Sequence, residues 1–109
     1  MAKRMTAIVR VDRNGIICHW NAAAEHLFGF TKLEAIGSPL ELIIPQPSHA
    51  CHRHGFASYV ATGIKTLPDT VTAVGRHKNG QLVKFQISTR ALIDHQGAVA
   101  GVEGLILAG

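Results

Sequence analysis

The sequence has few charged residues, few cysteines and no long apolar run, and each shortage removes a class of protein. Charged residues make up 17% and hydrophobic residues 47% of the 109 positions, which is typical of a folded domain rather than a disordered chain. No apolar stretch approaches the roughly 20 residues that cross a bilayer, and the N-terminus lacks the apolar core of a secretory signal. We therefore expect no membrane partner and a cytoplasmic location.

The number of cysteines and the distribution of charge limit the compartment and the kinds of partner that we expect. Cys18 and Cys51 are too few for a disulfide scaffold and are consistent with a reducing compartment. The 11 basic residues exceed the 7 acidic ones, but they are spread along the chain without a basic cluster or stacking aromatics. We therefore predict no direct nucleic-acid binding. A length of 109 residues predicts one domain over 1–109.

Two short helices are indicated after an initial hairpin. The run from Thr6 to Trp20 is interrupted by the turn signal Asp12-Arg13-Asn14-Gly15, which predicts two antiparallel strands. Asn21 is a suitable N-cap for a helix over Ala22–Phe28 that ends at Gly29. Thr31-Lys32-Leu33-Glu34 fits a capping box, and Gly37 closes the second helix.

A longer helix is expected in the middle of the chain. Pro39 and Pro45 flank an apolar segment that permits one helical turn and then an extended connection. From Ser48 as the cap to Thr62, with Gly63 as the stop, the sequence has helical character. His52, Phe56, Tyr59 and Val60 fall at i, i+4, i+7 and i+8 and therefore share one face.

The last third of the chain predicts three strands in a meander. The segments Thr70–His77 and Leu82–Leu92 flank Lys78-Asn79-Gly80, where Asn-Gly is a strong hairpin signal because both residues tolerate positive φ. Asp94-His95-Gln96-Gly97 makes a further turn before a last apolar strand over Ala98–Leu107. One face of the second of these strands is expected to be buried, and it carries Val83, Phe85, Ile87, Thr89 and Ala91.

This order of elements suits an α+β fold, a five-stranded antiparallel sheet with helices packed on one face. The segment Trp20–Gly37, read together with Asp12-Arg13-Asn14-Gly15 and Lys78-Asn79-Gly80, resembles the PAS domain family over roughly Thr6 to Leu107. The resemblance implies the sheet order 2-1-5-4-3. It also implies a space between sheet and helices that holds a cofactor or is filled by side chains.

The family resemblance implies a sensory function rather than catalysis. A ligand or partner would contact the inner faces of the long helix and the sheet. Altered packing there would shift a two-state equilibrium, with the sheet face as the output. The expected partners are a small-molecule ligand or an effector domain in a larger regulator. The expected pocket residues are His52, Phe56, Tyr59, Phe85, Ile87 and Thr89.

Heme b is an open alternative as the cofactor. In the heme-binding PAS domains of oxygen-sensing histidine kinases, the proximal histidine follows the first proline of a Pro-x-Pro segment by seven residues. Pro45-Gln46-Pro47 and His52 reproduce that spacing, which makes His52 the candidate iron ligand. The oxygen-holding arginine of those sensors aligns near Val71, and their aliphatic distal residue falls at Thr89, so that part of the pattern differs here.

The sequence gives less support to a zinc site, a flavin cofactor or an enzymatic activity. His49, Cys51, His52 and His54 crowd one segment, but a helix points successive residues apart, so a tetrahedral zinc site is not expected. Neither Cys18 nor Cys51 lies in a segment like the one that carries the reactive cysteine in the flavin-binding light sensors of the superfamily. No phosphate-binding loop, dinucleotide motif or catalytic triad is evident, and we expect no enzyme.

A protein-interaction role without a ligand is the remaining alternative. In that case side chains fill the cavity, and the domain pairs with itself or with another protein. The apolar segment 104–109, with Ala7, Val9 and the exposed sheet face, is the surface expected to mediate homodimerisation. The Asp-x-Thr-like junction that commonly ends the family's domain is not found in this sequence.

Overall fold

Five strands and several short helices form the part of the chain that the structure describes. The computed structural model describes residues 6–45, 56, 57, 59–61 and 70–108. The first half contains β1 (Ala7–Asp12), β2 (Ile17–Trp20), α1 (Ala22–Phe28), α2 (Lys32–Ala35) and a 3-10 helix over Leu40–Ile43. The second half contains β3 (Thr70–Arg76), β4 (Leu82–Ile93) and β5 (Val99–Ala108).

The strands form one antiparallel sheet in the order β2-β1-β5-β4-β3, which confirms the expected topology. The first and last strands pair at its centre, so both ends of the chain contribute to the same layer. Each of the last three strands differs from its expected bounds by one residue at one or both ends. Where the shifted end adjoins a hairpin loop, the loop's backbone hydrogen bonds rather than the side-chain pattern set the end of the strand.

The predicted long helix is described only in part. Residues 56, 57 and 59–61 are helical, while the remainder of the predicted span, with His52 and the neighbouring histidines, lies outside the described residues. Phe56 and Tyr59 are partly buried and pack against the hydrophobic core. Within the described ranges, no helix combines the length and the apolar character needed to cross a bilayer.

The sheet has an inner face, which packs against the helices, and an outer face. Strand β1 alternates strictly, so Ala7, Val9 and Val11 all point inward. Ala7 is 1% exposed and Val9 is 4% exposed. The expectation that these two residues contribute to a dimer surface is therefore wrong, because their side chains lie under the helices.

Three aromatic side chains connect α1 to both halves of the sheet. The ring centroids of Trp20 and Phe28 are 5.7 Å apart, and those of Phe28 and Phe85 are 5.6 Å apart with the rings edge to face. Trp20 and Phe28 are fully buried, and the Trp20 indole N–H donates to the Phe30 carbonyl oxygen at 3.0 Å. Truncating such a buried ring costs about 3–5 kcal/mol, so this stack is a main source of stability.

Asn21 caps α1, as predicted, and also attaches the helix to β1. Its Oδ1 accepts hydrogen bonds from the backbone N–H groups of Ala24 and Ile8, both at 3.0 Å. Its Nδ2 donates to the carbonyl oxygen of Thr6 at 3.0 Å. One side chain therefore satisfies the helix terminus and the start of the first strand together.

The capping box of α2 is present and is joined to the β3–β4 hairpin. Thr31 accepts a hydrogen bond from the Glu34 N–H, and the Glu34 carboxylate accepts one from the Thr31 N–H. The Lys78 ammonium pairs with the same carboxylate. The hydrogen bond from Lys78 and the one from Thr31 lower the pKa of Glu34.

The three hairpin loops, 12–15, 77–80 and 94–97, share one geometry. In each, the glycine N–H donates to the carbonyl oxygen of the first residue at 2.8 to 3.0 Å, and the glycine has a left-handed φ. The Asn-Gly hairpin is confirmed, but Asn79 does not use the positive φ that it tolerates, and Gly80 alone does so there. The geometry matches three-residue loops that end in a left-handed glycine.

We predict that Gly29→Ala destabilises the protein more than Gly37→Ala. Both glycines have a left-handed φ, of 79° and 89°, where alanine costs about 1–2 kcal/mol. A Cβ on Gly29 would in addition lie 2.6 Å from His77 Nε2, whereas a Cβ on Gly37 meets nothing within 4 Å. Overpacking of this kind adds about 1–3 kcal/mol.

Urea denaturation of the two variants measures the difference in the free energy of unfolding. Adding His77→Ala to the Gly29→Ala variant should recover the extra loss, because it removes the overlapping ring. Equal destabilisation by the two alanine substitutions would show that His77 does not pack on Gly29.

Candidate functional site

The inner face of β4 runs beneath the helical layer. Alternation places Phe85, Ile87 and Thr89 on this face, as predicted. Phe85 is 6% exposed and belongs to the core, whereas Ile87 and Thr89 are only partly buried. Burial along this strand therefore decreases from Phe85 towards Thr89.

The pairing register places small groups beside Thr89. Thr89 lies opposite Gly104 on β5, and Gly104 in turn lies opposite Val9 on β1. A Cβ on Gly104 would lie 3.1 Å from the Ile87 Cδ1 atom, so the isoleucine side chain occupies part of the space above the glycine. The Ile87 side chain therefore covers the glycine at the middle of the inner face.

Four of the six predicted pocket residues lie in one hydrophobic core. Phe56, Tyr59 and Ile87 pack against the cluster that contains Phe85. Thr89 is partly buried and lies on the same face of the sheet. His52, the sixth predicted residue, lies outside the described residues. The assignment of these side chains to a ligand pocket remains a prediction.

An open cleft of about 270 Å³ lies between α1 and the ends of β1 and β5. Among the described residues it is lined by Ala7, Ala23, His26, Leu27 and Ala108. None of the five predicted pocket residues that the structure describes is among them. Three of the lining residues are alanines, whose small side chains do not fill the space between α1 and the sheet.

The described part of the chain contains no group of three histidine, cysteine or carboxylate side chains that could hold a metal ion. All four residues weighed for a zinc site, from His49 to His54, lie outside that part. The heme-ligand assignment for His52 is therefore a prediction that rests on the sequence alone.

The outer face of the sheet carries a buried carboxylate between two arginines. Glu103 on β5 is 4% exposed. The Arg10 Nε atom lies 2.5 Å from Glu103 Oε2, and the Arg90 Nε atom lies 2.9 Å from Oε1. The three residues come from neighbouring strands and stand side by side in the register.

These contacts keep Glu103 ionised. The hydrogen bond from Arg10 lowers the pKa of Glu103, burial opposes that shift, and the charges of both arginines add to it. A carboxylate that accepts charge-assisted hydrogen bonds on both oxygens is strongly stabilised in its charged form. Two cations then meet one anion, and the trio has a net positive charge.

Sequence reasoning missed this trio, although a signal was present. The predicted last strand is apolar throughout except for Glu103. A single carboxylate in such a strand seldom goes without a partner, because an unpaired buried charge is costly. The partners were not identifiable, since Arg10 stands 93 positions away in the sequence.

Comparison with known proteins gives a family match over most of the chain. The model of the PAS fold family matches residues 5–106. Sensor protein FixL of Bradyrhizobium diazoefficiens is 33% identical over 75 residues, which cover 69% of this chain. The matched region spans only 14% of that relative's length.

Solved structures agree with the fold. The crystal structure of a PAS domain from Colwellia psychrerythraea matches with a TM-score of 0.78 and 23% identity, covering 95% of this chain and 86% of that one. The PAS domain of the quorum-sensing receptor RpfR from Cronobacter turicensis, in complex with C12:0, matches with a TM-score of 0.72 and 16% identity. That match covers 99% of this chain and 96% of the receptor domain.

We predict that the ion trio contributes stability that is lost in acid. Glu103→Gln should lower the free energy of unfolding at pH 7 by about 1–3 kcal/mol, because two arginines lose their charged acceptor. The folded pKa of Glu103 lies below its ordinary value of 4.5, so the stabilisation is complete above that value. It is lost as the pH falls through the lowered folded pKa.

Urea denaturation at several pH values tests this expectation. The gap between the unsubstituted protein and Glu103→Gln should narrow below pH 4.5 and close in stronger acid. Glu34→Gln serves as the comparison for an exposed ion pair: the pKa of Glu34 is also lowered, so its loss of stability should follow the same pH trend but be smaller. A gap that is the same at low and neutral pH would contradict the assignment.

Proposed function

The chain belongs to the PAS family, and on that premise we propose that it is a sensory module of a larger signalling protein. In this proposal, residues 1–109 form a single domain. A small ligand or partner contacts the side chains between the helices and the inner face of the sheet, and an effector reads the resulting change. The effector is a histidine kinase, a cyclic-dinucleotide enzyme, a chemoreceptor or a transcriptional regulator.

One observation carries the proposal: the helical side and the inner face of the sheet meet at side chains that are only partly buried. Ile87 and Thr89 stay partly buried while Phe85, on the same strand, is buried. Phe56 and Tyr59 pack against this core from the helical side. A small molecule bound among these side chains would contact both the helices and the sheet. Its binding could therefore change how the two layers pack, which supports a ligand-dependent response.

The comparisons favour sensing over the other activities considered. A sensor protein shares 33% identity with the matched region, and a receptor domain with the same fold was solved with C12:0 bound. We also propose a cytoplasmic location and a homodimeric assembly. The proposal assigns no catalytic residue.

Heme is the second candidate, and the similarity to sensor protein FixL favours it. The described inner-face residues Phe85, Ile87 and Thr89 supply no imidazole or thiolate, so this candidate depends wholly on His52. A neutral imidazole there would be a suitable axial ligand for the iron. The third candidate is an interaction module with a filled core and no ligand.

We predict that the purified protein retains a small molecule and that Ile87→Trp reduces the amount. The larger ring would extend from the inner face towards the helices, because residue 87 is only partly buried there. Gln86→Trp is the matched control, because residue 86 lies on the same strand but points to the solvent. Denaturation followed by mass spectrometry measures the molecule released per chain.

The outcomes separate the three candidates. A colourless retained molecule that is lost in Ile87→Trp and kept in Gln86→Trp supports the sensory module. A Soret absorption band that disappears in His52→Ala supports heme, and a band unaffected by that substitution shows that His52 is not the ligand. Absence of any retained molecule favours the interaction module.

A further inference from the structure

Two of the three hairpin loops contain an asparagine followed by a glycine. These pairs are Asn14-Gly15 in the β1–β2 loop and Asn79-Gly80 in the β3–β4 loop. A backbone nitrogen can attack the carboxamide carbon of the preceding asparagine, and glycine favours this attack because it has no Cβ to hinder closure of the five-membered ring. Each Asn-Gly pair is therefore susceptible to spontaneous deamidation, and the structure distinguishes the two.

The backbone contacts of the two glycines are alike. The Gly80 N–H donates to the His77 carbonyl oxygen at 2.8 Å. The Gly15 N–H donates to the Asp12 carbonyl oxygen at 3.0 Å. Each bond must open before the glycine nitrogen reacts, so this requirement is similar in the two loops. A difference in reactivity has to come from the asparagine side chain or from the exposure of the glycine.

The first residue of each loop decides how the asparagine side chain is used. In the β1–β2 loop, Asp12 Oδ1 accepts hydrogen bonds from the N–H groups of Asn14 and Ile16, at 2.8 and 3.0 Å. In the β3–β4 loop the same position is His77, whose Nδ1 accepts the Asn79 N–H at 3.1 Å. An imidazole nitrogen offers a single lone pair, so the N–H group that follows the glycine needs another acceptor there.

Asn79 itself supplies that acceptor. Its Oδ1 accepts a hydrogen bond from the Gln81 N–H at 2.9 Å, and its Nδ2 donates to the Gln81 Oε1 atom at 3.3 Å. Because the first of these bonds spans Gly80, it holds the carboxamide alongside the Gly80 nitrogen. The Gln81 N–H also points at the oxygen that becomes negatively charged when a nucleophile adds to the carboxamide carbon, and this is the position of an oxyanion donor.

The surroundings of the two glycines favour the same site. Gly80 is exposed, and a Cβ on it would meet nothing within 4 Å. Gly15 is buried, and a Cβ on it would lie 3.6 Å from the Phe56 Cε1 atom. Solvent base therefore reaches the Gly80 nitrogen more readily than the Gly15 nitrogen.

We propose that Asn79 is a modification site, at which the folded protein deamidates spontaneously and faster than at Asn14. The Gly80 nitrogen gives its proton to solvent base and bonds to the Asn79 Cγ atom. The Cγ–Nδ2 bond breaks, and the departing nitrogen takes up a proton and leaves as ammonia. One water molecule then opens the cyclic imide at either carbonyl carbon, so the product is aspartate or isoaspartate. This proposal does not depend on the sensory function.

The modification would weaken the contacts that join the β3–β4 loop to the helices. The Lys78 N–H donates to the Phe28 carbonyl oxygen at 2.9 Å, and the Lys78 ammonium pairs with Glu34. A carboxylate at residue 79 would compete with Glu34 for Lys78. Isoaspartate would in addition insert a methylene group into the main chain of the loop. The reaction therefore bears on the end of α1 as well as on the hairpin.

Peptide mass spectrometry of protein aged at mildly alkaline pH tests the proposal. Samples are digested in acid, where the reaction is arrested, and the acid form is quantified at each asparagine. In the folded protein, Asn79 should convert about tenfold faster than Asn14 or more, since one oxyanion donor is worth about 10²–10³ in the rate of an enzyme. In urea, where neither loop is formed, the two sites should convert at similar rates.

Two substitutions of His77 test the role of the Gln81 N–H. His77→Asp reproduces the arrangement of the β1–β2 loop, so the new carboxylate should take the Gln81 N–H. Conversion of Asn79 should then slow to the rate of Asn14. His77→Ala removes the imidazole without supplying a competing acceptor and should leave the conversion of Asn79 fast. Asn14 is the internal control in both variants.

Two results would overturn the proposal. The first is conversion of Asn79 that is no faster than conversion of Asn14 in the folded protein. The second is conversion of Asn79 that His77→Asp leaves as fast as it is in the unsubstituted protein, because the Gln81 hydrogen bond would then play no part. Neither result concerns the retention of a small molecule, so the sensory proposal is tested separately.

Discussion

The position of the Phe28 ring between Trp20 and Phe85 is the constraint on which the described structure depends. Phe28 is fully buried and lies within 6 Å of both neighbours, measured between ring centroids. Trp20 belongs to β2 at one edge of the sheet and Phe85 to β4 on the other side of its centre. The ring therefore holds a seven-residue helix, too short to be stable alone, across four strands.

The two faces of the sheet carry different side chains, although the same strands supply both. The proposed sensory function depends on this difference. On β5, Gly104 and Ile106 face the helices, while Glu103 and Leu105 face outward. A shift of β5 caused by a ligand on the inner face would displace the ion trio and the leucine on the outer face. Because packed interiors rearrange as units, a small change on one face is readily expressed on the other.

Local rules account for what the sequence could predict. The Asn21 cap, the Thr31 capping box and the three glycine-ended loops involve partners within a few residues, so their motifs are legible in a single sequence. The sheet order came instead from the family resemblance. The pairing of Arg10 with Glu103 requires knowledge of which strands are neighbours, and the inward direction of Ala7 and Val9 depends on the same information.

Hydrogen exchange at the Trp20 indole tests the central claim most directly, namely that the helices and the sheet pack as one unit. The indole N–H is buried and donates to the Phe30 carbonyl oxygen just beyond α1, so it exchanges only when this segment opens away from the sheet. In NMR experiments it should exchange as slowly as the most protected amides of β1 and β5, and Phe85→Leu should accelerate all of them alike. Indole exchange that is much faster than that of the sheet amides would contradict the account.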